Sequence, residues 1–532
     1  MATQKIEWNK KLNNIWYKSL YSLDINIHKT INEQEEYRKN IIKNDSSLTK
    51  NEKKFLLNKL LEAYDALRIG DNSVEKQQCS NCQNWHQAIH YCEFCIRKYL
   101  ENNFGNWTSG NGKIDKLIQG CQQKTNAPYC VIEWIKYDQF ENIKHLAEGG
   151  CATIYTAIWK YGHYDKWNSK EQILKRSGGQ KIVLKRLNNS NSNNVHWFQE
   201  VTLSFTLDNS LQLLAVCYGL TKDPATQDYM LVLRYYDNDL RHFLTDNYHS
   251  LTLLQKYQII CKVAGSLYKI HEQNMIHRDL HSGNILCYSK AFFWYISDLG
   301  LSGPVNKPSN SIYGNLPYIS PEVLCGKIYT TKSDIYSMGM LMWEVITGET
   351  PLDEYEHDLE LTLDIVNGCR PKIYEYIPQE YATLMKQCWD ANPNNRPDAY
   401  IVYEKINLLI MLIYNEADKQ QEPNIQSKNL KSKVKNFFKL KSKKGKNNHL
   451  IINTPLSKNT KSIICRMQTS KIYKFNIPIK PRNATDEEQL AFDSKQINFE
   501  ISEEMQQQYL ESIGADDQEF GIAGPSKSGS QF

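Results

Sequence analysis

Hydrophobic positions along the chain change their spacing several times, and the changes divide it into four parts. Over residues 1–78 the spacing is helical and the sequence is otherwise polar. The clearest case is the capping-box pattern Thr49-Lys50-Asn51-Glu52, which precedes Phe55, Leu60 and Leu67 on one helical stripe. This part is predicted to be a helical docking or coiled segment, because nothing in it suggests chemistry.

The spacing changes again near Phe140. From there short apolar runs alternate with polar turns, which predicts strands, and Leu251 to Glu272 returns to helical spacing. Beyond Glu416 the composition shifts to Lys, Asn, Ser and Gln without sustained periodicity. Residues 140–414 are therefore predicted to form the main domain, and residues 415–532 a disordered tail.

The composition is that of an ordinary soluble protein, with 41% hydrophobic and 23% charged residues. The net charge is +5, but residues 428–446 hold nine lysines and no acid, so the rest of the chain is net negative. This distribution argues against a nucleic-acid-binding face. The N-terminus lacks the apolar region of a signal peptide, and the most apolar run, Leu408 to Tyr414, is too short to span a bilayer. We expect a cytoplasmic protein without a membrane span.

The densest part of the basic tail is Lys439-Leu440-Lys441-Ser442-Lys443-Lys444-Gly445-Lys446. Three interpretations of this patch stay open: a solvated tail, a nuclear-import signal, or a contact with acidic membrane. The second would add the nucleus to the expected location.

Two closely spaced cysteine pairs follow the helical part, Cys79-Ser80-Asn81-Cys82 and Cys92-Glu93-Phe94-Cys95. Each C-x-x-C places two thiolates on one tight turn, and two such turns make a tetrahedral sulfur site for zinc. His86 and His90 lie between the pairs as substitute ligands. Residues 79–120 are predicted to be a zinc-knuckle module and linker with a structural metal. Ordinary reduced cysteines or a redox pair are the alternatives.

The main domain contains two short polar motifs. Ile276-His277-Arg278-Asp279-Leu280-His281-Ser282-Gly283-Asn284-Ile285-Leu286 places a carboxylate and an amide five positions apart. Fourteen residues past Asn284, Ile296-Ser297-Asp298-Leu299-Gly300 adds a second carboxylate. Phosphoryl transfer needs a carboxylate to orient a hydroxyl nucleophile, and it needs oxygen ligands for magnesium. Asp279 can meet the first need, and Asn284 and Asp298 the second.

These motifs resemble those of the eukaryotic protein kinases, H-R-D-L-x-x-x-N and D-F-G, with Leu299 in place of phenylalanine. Cys388-Trp389 and Ser282 resemble the tyrosine-kinase-like group, which mostly phosphorylates serine and threonine. The resemblance covers residues 140–414. It implies an α+β, bilobal kinase fold, with a small β-rich N-lobe and a larger helical C-lobe, and it implies ATP, Mg²⁺ and protein substrates.

The resemblance also assigns residues around the nucleotide. Lys185 is expected to hold the ATP phosphates, with Glu200 as its partner on the following helix. Ala147 and Ala152 replace two glycines of the usual phosphate loop, and residues 160–180 are expected to be an insertion. The full expected set is Leu146, Ala147, Glu148, Gly149, Gly150, Ile154, Val183, Lys185, Leu233, Tyr235, Asn284, Leu286 and Asp298.

The segment from Asp298 to Glu322 resembles the activation segment of kinases. Candidate sites in it for an upstream kinase or for autophosphorylation are Ser302, Ser309, Ser311 and Tyr313, with plain polar loop residues as the alternative. The resemblance further implies that Asp334 anchors the backbone of the catalytic loop and that Arg396 pairs with Glu322.

Together these features predict transfer of the ATP γ-phosphoryl group to a protein hydroxyl, with Asp279, Lys185, Glu200, Asn284 and Asp298 as the catalytic set. The resemblance to the tyrosine-kinase-like group makes serine or threonine the preferred acceptor. His281 stands where serine/threonine kinases carry lysine and fits neither acceptor class cleanly, so tyrosine stays open. One alternative is a pseudokinase scaffold that binds ATP or partners without phosphotransfer. Another gives the main role to the zinc module and basic tail, with nucleic acid as partner.

Overall fold

Three helices at the N-terminus form a layer with a core of its own. The structure is a computed structural model that describes residues 6–24, 27–148, 152–191, 196–207, 214–288, 291–304, 312–419, 470–473, 477 and 479–494. The helices are α1 (Lys10–Tyr21), α2 (Ile31–Asn44) and α3 (Lys50–Arg68). The predicted capping box is present, since Thr49 and Glu52 bond each other's backbone N–H at the start of α3.

The cysteine module packs between this layer and the next domain. Its elements are β1 (Gln77–Gln78), β2 (Trp85–His86), α4 (Glu93–Asn102) and α5 (Gly112–Gln123). Asp65 of α3 is buried and accepts a hydrogen bond from the backbone N–H of Ile89 over 2.7 Å. The helical layer and the module are therefore joined through a buried carboxylate.

The N-lobe is built on a six-stranded sheet. Its strands and those of an adjacent hairpin are β3 (Glu133–Trp134), β4 (Phe140–Glu148), β5 (Ala152–Trp159), β6 (Tyr164–Asn168), β7 (Ile173–Arg176), β8 (Gln180–Leu187), β9 (Cys217–Lys222) and β10 (Tyr229–Arg234). The sheet has the order β3-β9-β10-β8-β5-β4, with β3 parallel to β9 and the other pairs antiparallel. Helix α6 (His196–Thr206) follows β8, and its Val201 and Phe205 share a core with Ile114 and Ile118 of α5.

The residues expected to be an insertion form the β6–β7 hairpin, which contacts the cysteine module. Leu174 is buried in the same cluster as Ala88 and Ile96 of the module. The Asn81 side-chain amide donates to the Gln172 side chain over 2.6 Å. The hairpin therefore holds the module against the N-lobe, a role that its sequence did not predict.

The C-lobe is mainly helical and surrounds one large apolar core, in which most of the helix Thr331–Thr347 is buried. Its elements are β11 (Asn238–Asp239), α7 (Leu240–Asn247), α8 (Leu253–Glu272), β12 (Met275–Ile276), β13 (Ile285–Tyr288), β14 (Phe293–Ile296), β15 (Gly303–Pro304), β16 (Ile312–Gly314), α9 (Pro321–Leu324), α10 (Thr331–Thr347), α11 (Leu359–Asn367), α12 (Gln379–Cys388) and α13 (Ala399–Lys419). Helix α1 joins this core as well, because Tyr17 and Tyr21 are buried in it and the Tyr17 hydroxyl donates to the Phe292 carbonyl over 2.6 Å.

The predicted disordered tail is corrected at two places. Lys471–Tyr473 forms β17, and Asp486–Asp493 forms α14. Ile477 and Phe492 are buried in the C-lobe core, so these short elements are stabilised by docking and not by a periodicity of their own. The basic patch at 439–446 lies outside the described residues.

The architecture confirms the predicted fold class: a β-rich N-lobe and a helical C-lobe, preceded by helices and a small cysteine module. Within the described ranges, no helix is both long enough and apolar enough to cross a membrane.

Candidate active site

One buried lysine joins both lobes at the cleft between them. Lys185 Nζ on β8 lies 2.7 Å from Glu200 Oε1 on α6 and 2.9 Å from Asp298 Oδ1 after β14. The Lys185 and Glu200 side chains are 11% and 12% exposed, whereas the Asp298 side chain is 45% exposed. The lysine and its expected helix partner are therefore brought together, with the second carboxylate reaching solvent.

The charges of this cluster stabilise each other. Burial would lower the pKa of Lys185, but the Asp298 and Glu200 carboxylates outweigh it and raise that pKa. Desolvation would raise the pKa of Asp298, but the Lys185 ammonium lowers it to about 2. Both groups are therefore ionised at neutral pH, as electrostatic stabilisation of phosphates requires.

Asp334 fixes the backbone of the catalytic loop, as the resemblance implied. Its two carboxylate oxygens accept hydrogen bonds from the backbone N–H of His277 at 2.8 Å and of Arg278 at 2.9 Å. Arg278 and Asp298 both have positive φ, 71° and 58°. Such φ values are strained for residues other than glycine, and they concentrate at functional sites whose surroundings hold them in place.

Asn284 and Asp298 lie at the same end of one hairpin, because β13 pairs with β14 and the Ser297 N–H donates to the Asn284 carbonyl over 2.9 Å. The Asn284 side-chain nitrogen donates to the Asp279 carbonyl over 2.9 Å. This bond directs the amide oxygen of Asn284 away from Asp279. An amide oxygen and an ionised carboxylate are the ligand types that Mg²⁺ takes in phosphoryl-transfer sites, so the donor set fits the ion.

The residues expected around the nucleotide lie on adjacent strands of the N-lobe. Cross-strand pairs join Ala147 with Ile154, Ile154 with Lys185, and Val183 with Leu233. Tyr235 follows β10, and the Lys181 ammonium lies 3.7 Å from the centre of its ring. Leu146 and Glu148 are exposed on β4, and Leu286 is half-buried on β13. Gly149 and Gly150 lie outside the described residues.

His281 is buried beside Asp279, with its Nε2 3.7 Å from Asp279 Oδ2. The backbone N–H of Gly283 donates to His281 Nδ1 over 3.1 Å. Because Nδ1 accepts, a neutral His281 carries its proton on Nε2, which faces the carboxylate. In the position where serine/threonine kinases have lysine, this chain therefore presents an imidazole N–H donor.

Ser470 is the residue of the site that the sequence analysis missed. Its Oγ lies 2.9 Å from each oxygen of Asp279 and 3.2 Å from His281 Nε2. No motif in the tail signals it. Its position depends on the pairing of β17 with β16, which only the folded chain reveals.

The activation segment differs in accessibility from what the sequence suggested. Ser302 is 1% exposed and its hydroxyl donates to the His277 carbonyl, so it is not a surface acceptor in this conformation. Ser309 and Ser311 lie outside the described residues, and so does the side chain of Tyr313. At the end of the segment, Arg396 binds Glu322 through two hydrogen bonds of 2.8 and 2.7 Å, which is the expected pairing.

The four cysteines of the N-terminal module converge on one point. Their sulfur atoms all lie within 4.8 Å of one another, and the Cys79–Cys95 and Cys82–Cys92 sulfurs are 3.6 Å apart. Four sulfurs at these separations fit a tetrahedral zinc site. His90 is directed elsewhere, since its Nδ1 lies 2.5 Å from Asp65 Oδ2.

The fold and the arrangement of residues in the cleft are those of the protein kinase family. The family model described as protein tyrosine and serine/threonine kinase matches residues 140–406, half of the chain. The chain therefore belongs to this family.

Several curated relatives of the matched region come from Dictyostelium discoideum. The chain is similar to the probable serine/threonine-protein kinase roco8, 34% identical over 202 residues, or 35% of this chain and 11% of that protein. It is similar to the dual specificity protein kinase zakA, 30% identical over 234 residues, or 40% of this chain and 29% of zakA. A probable LIM domain-containing serine/threonine-protein kinase is 26% identical over 296 residues, 54% of this chain and 44% of that protein. The chain thus spans less than half the length of these relatives.

Proposed function

We propose that this chain is an active protein kinase that transfers the γ-phosphoryl group of ATP to serine or threonine hydroxyls of proteins. The observation that supports this most is the contact of Lys185 with both Glu200 and Asp298, at 2.7 and 2.9 Å. Kinases need the lysine–glutamate pair and the metal-binding aspartate in place at the same time. A pseudokinase scaffold has no need to keep all of these polar groups.

Each residue of the site has a role in this proposal. Asp279 orients the acceptor hydroxyl and accepts its proton, and Lys185, positioned by Glu200, holds the phosphates. Asn284 and Asp298 hold Mg²⁺, which neutralises phosphate charge when bound. Serine or threonine is the proposed acceptor because two of the relatives named above are described as serine/threonine-protein kinases. The dual specificity of zakA makes tyrosine the competing outcome.

The test is transfer of radiolabel from Mg-ATP to a mixture of proteins, followed by phosphoamino-acid analysis. The Asp279→Asn variant is expected to lose transfer while still binding ATP. Asp246→Asn, at an exposed position of α7, is the matched control and should retain activity. Incorporation by the unaltered protein no greater than by Asp279→Asn, despite ATP binding, would establish the pseudokinase alternative.

We further propose that the four-cysteine cluster binds one structural zinc ion. The sulfur geometry supports this, and a closed four-thiolate shell leaves no position for substrate. Metal analysis of the purified protein should give about one zinc per chain. Cys95→Ala should lose the metal, whereas Cys130→Ala, outside the cluster, should keep it. Equal metal content in both variants would contradict the proposal.

A further inference from the structure

A serine of this same chain occupies the acceptor position of the site. Ser470 Oγ is 2.9 Å from both oxygens of Asp279, within hydrogen-bond reach of the carboxylate that would orient an acceptor. The His281 Nε2, 3.2 Å away, contacts the same hydroxyl. The Ser470 O–H can donate to Asp279 while its oxygen accepts from His281, so the contacts fix the direction of the lone pair that would attack.

The backbone next to Ser470 binds as an added strand. Lys471–Tyr473 pairs antiparallel with Ile312–Gly314 of the activation segment. Peptides are often recognised in this way, with main-chain bonds fixing register and position. Gly314 has φ +143°, and a Cβ there would come within 3.3 Å of Asp279 Oδ1, so the glycine permits the close approach.

The chain beyond β17 is held on the C-lobe at several independent points. Ile477 and Phe492 are 4% and 2% exposed, both within the C-lobe core. The Asn483 side chain accepts from the Ala391 N–H over 2.8 Å. The Arg482 N–H donates to the Val366 carbonyl over 3.1 Å. These contacts anchor the acceptor serine within its own molecule, which replaces a bimolecular encounter by an intramolecular one.

We propose that Ser470 is the acceptor of an intramolecular phosphorylation, and that β17, paired with the activation segment, keeps other protein substrates from Asp279 until it occurs. The inference rests on the proposed kinase function and names its first substrate. A bond forms between Ser470 Oγ and the γ-phosphorus of ATP, and the bond from that phosphorus to the β–γ bridging oxygen breaks. ADP leaves, and the hydroxyl proton passes to Asp279.

Phosphorylated Ser470 no longer fits the position that the serine hydroxyl occupied beside Asp279. A phosphoserine carries close to two negative charges, and it would lie against the Asp279 carboxylate. The phosphate and the Asp279 carboxylate repel each other, so Ser470 and the adjoining strand β17 leave the site. Release of β17 then exposes the edge of Ile312–Gly314 to other protein chains.

The first experiment follows phosphate incorporation into the full, dephosphorylated chain with Mg-ATP, by site mapping. Ser470 is expected to be the first site modified, with a rate per molecule that does not change with protein concentration. Ser470→Ala should abolish this early phase. Ser494→Ala, at the exposed end of α14, is the matched control and should keep it.

The second experiment loosens the anchor without touching the site. Phe492→Asp should slow Ser470 phosphorylation and should raise the initial rate on an added protein substrate. Leu490→Asp, on the same helix but 68% exposed, should change neither rate.

The two proposals fail in different ways. Transfer to added protein without any phosphate at Ser470 overturns the intramolecular acceptor and keeps the kinase. A Ser470 rate per molecule that rises in proportion to protein concentration overturns the intramolecular step. No phosphate in either acceptor, even for Phe492→Asp, overturns both proposals.

Discussion

The pair of Glu322 and Arg396 is the most deeply buried ion pair that the described part of the C-lobe contains, and its loss can be estimated from its geometry. The Arg396 side chain is 0% and the Glu322 side chain 5% exposed, and two bonds of 2.8 and 2.7 Å join them. Arg396 also donates to the carbonyls of Asp390 at 2.7 Å and Lys332 at 2.9 Å. The guanidinium therefore satisfies one charge and two backbone acceptors.

Arg396→Met keeps most of the volume and removes all of these bonds. An uncompensated buried charge costs about 3–5 kcal/mol of unfolding free energy. For a domain of this size each kcal/mol lowers the melting temperature by about 2–4 °C. The expected fall is therefore on the order of 10 °C in thermal unfolding.

Two variants separate the buried charge from other effects. Lys98→Met breaks a pair whose side chains are 67% and 50% exposed, and should cost less than about 1 kcal/mol. Adding Glu322→Gln to Arg396→Met should recover part of the loss, because a neutral amide replaces the unpaired carboxylate. The reasoning is refuted if Arg396→Met lowers the unfolding free energy no more than Lys98→Met does. It is also refuted if the double variant is less stable than Arg396→Met alone.

Three further predictions concern pH, catalysis and metal. Burial, Glu360 and Asp358 raise the pKa of Asp364 to about 7, so its folded form holds a proton that the unfolded chain releases near pH 4. The free energy of unfolding should therefore fall by on the order of 4 kcal/mol as pH rises from about 4 to about 7. Urea unfolding at these two pH values should show this difference, and Asp364→Asn should reduce it. Glu200→Gln weakens a buried charge-assisted bond to Lys185 worth about 1.5–3 kcal/mol, so kcat/KM should fall about 10- to 150-fold; an unchanged value would exclude the positioning role. Chelation of zinc should lower the melting temperature of the protein, and a chelator without effect would contradict a structural metal.

The sequence predicted those parts of the site that local spacing determines. Asp279 and Asn284 lie five positions apart on one loop, so their contact follows from the chain itself. Lys185 and Glu200 are on consecutive elements, and the resemblance supplied their pairing. Ser470 is separated from Asp279 by 191 positions, and no periodicity connects the two. Its contact arises from strand addition and from two buried apolar residues, neither of which leaves a local pattern.

The same limit applies to the β6–β7 hairpin. Polar and aromatic residues dominate it, so it resembles a surface loop in sequence. Its structural role depends on Leu174 and Trp167, which contact the cysteine module. The role of this hairpin can therefore be recognised only when the surface of the cysteine module against which it packs is known.

The N-terminal layer has a mechanical consequence for the kinase domain. Tyr17 of α1 is fixed to the C-lobe through the Phe292 carbonyl, while Ile114 and Ile118 of α5 are packed on the helix that carries Glu200. The two lobes are thus connected twice, once covalently through the interlobe chain after β10 and once through the N-terminal layer, whose contact with the C-lobe is a hydrogen bond and apolar packing. Rotation of one lobe against the other would have to strain or break the contacts of the layer, so we expect the layer to restrict opening of the cleft.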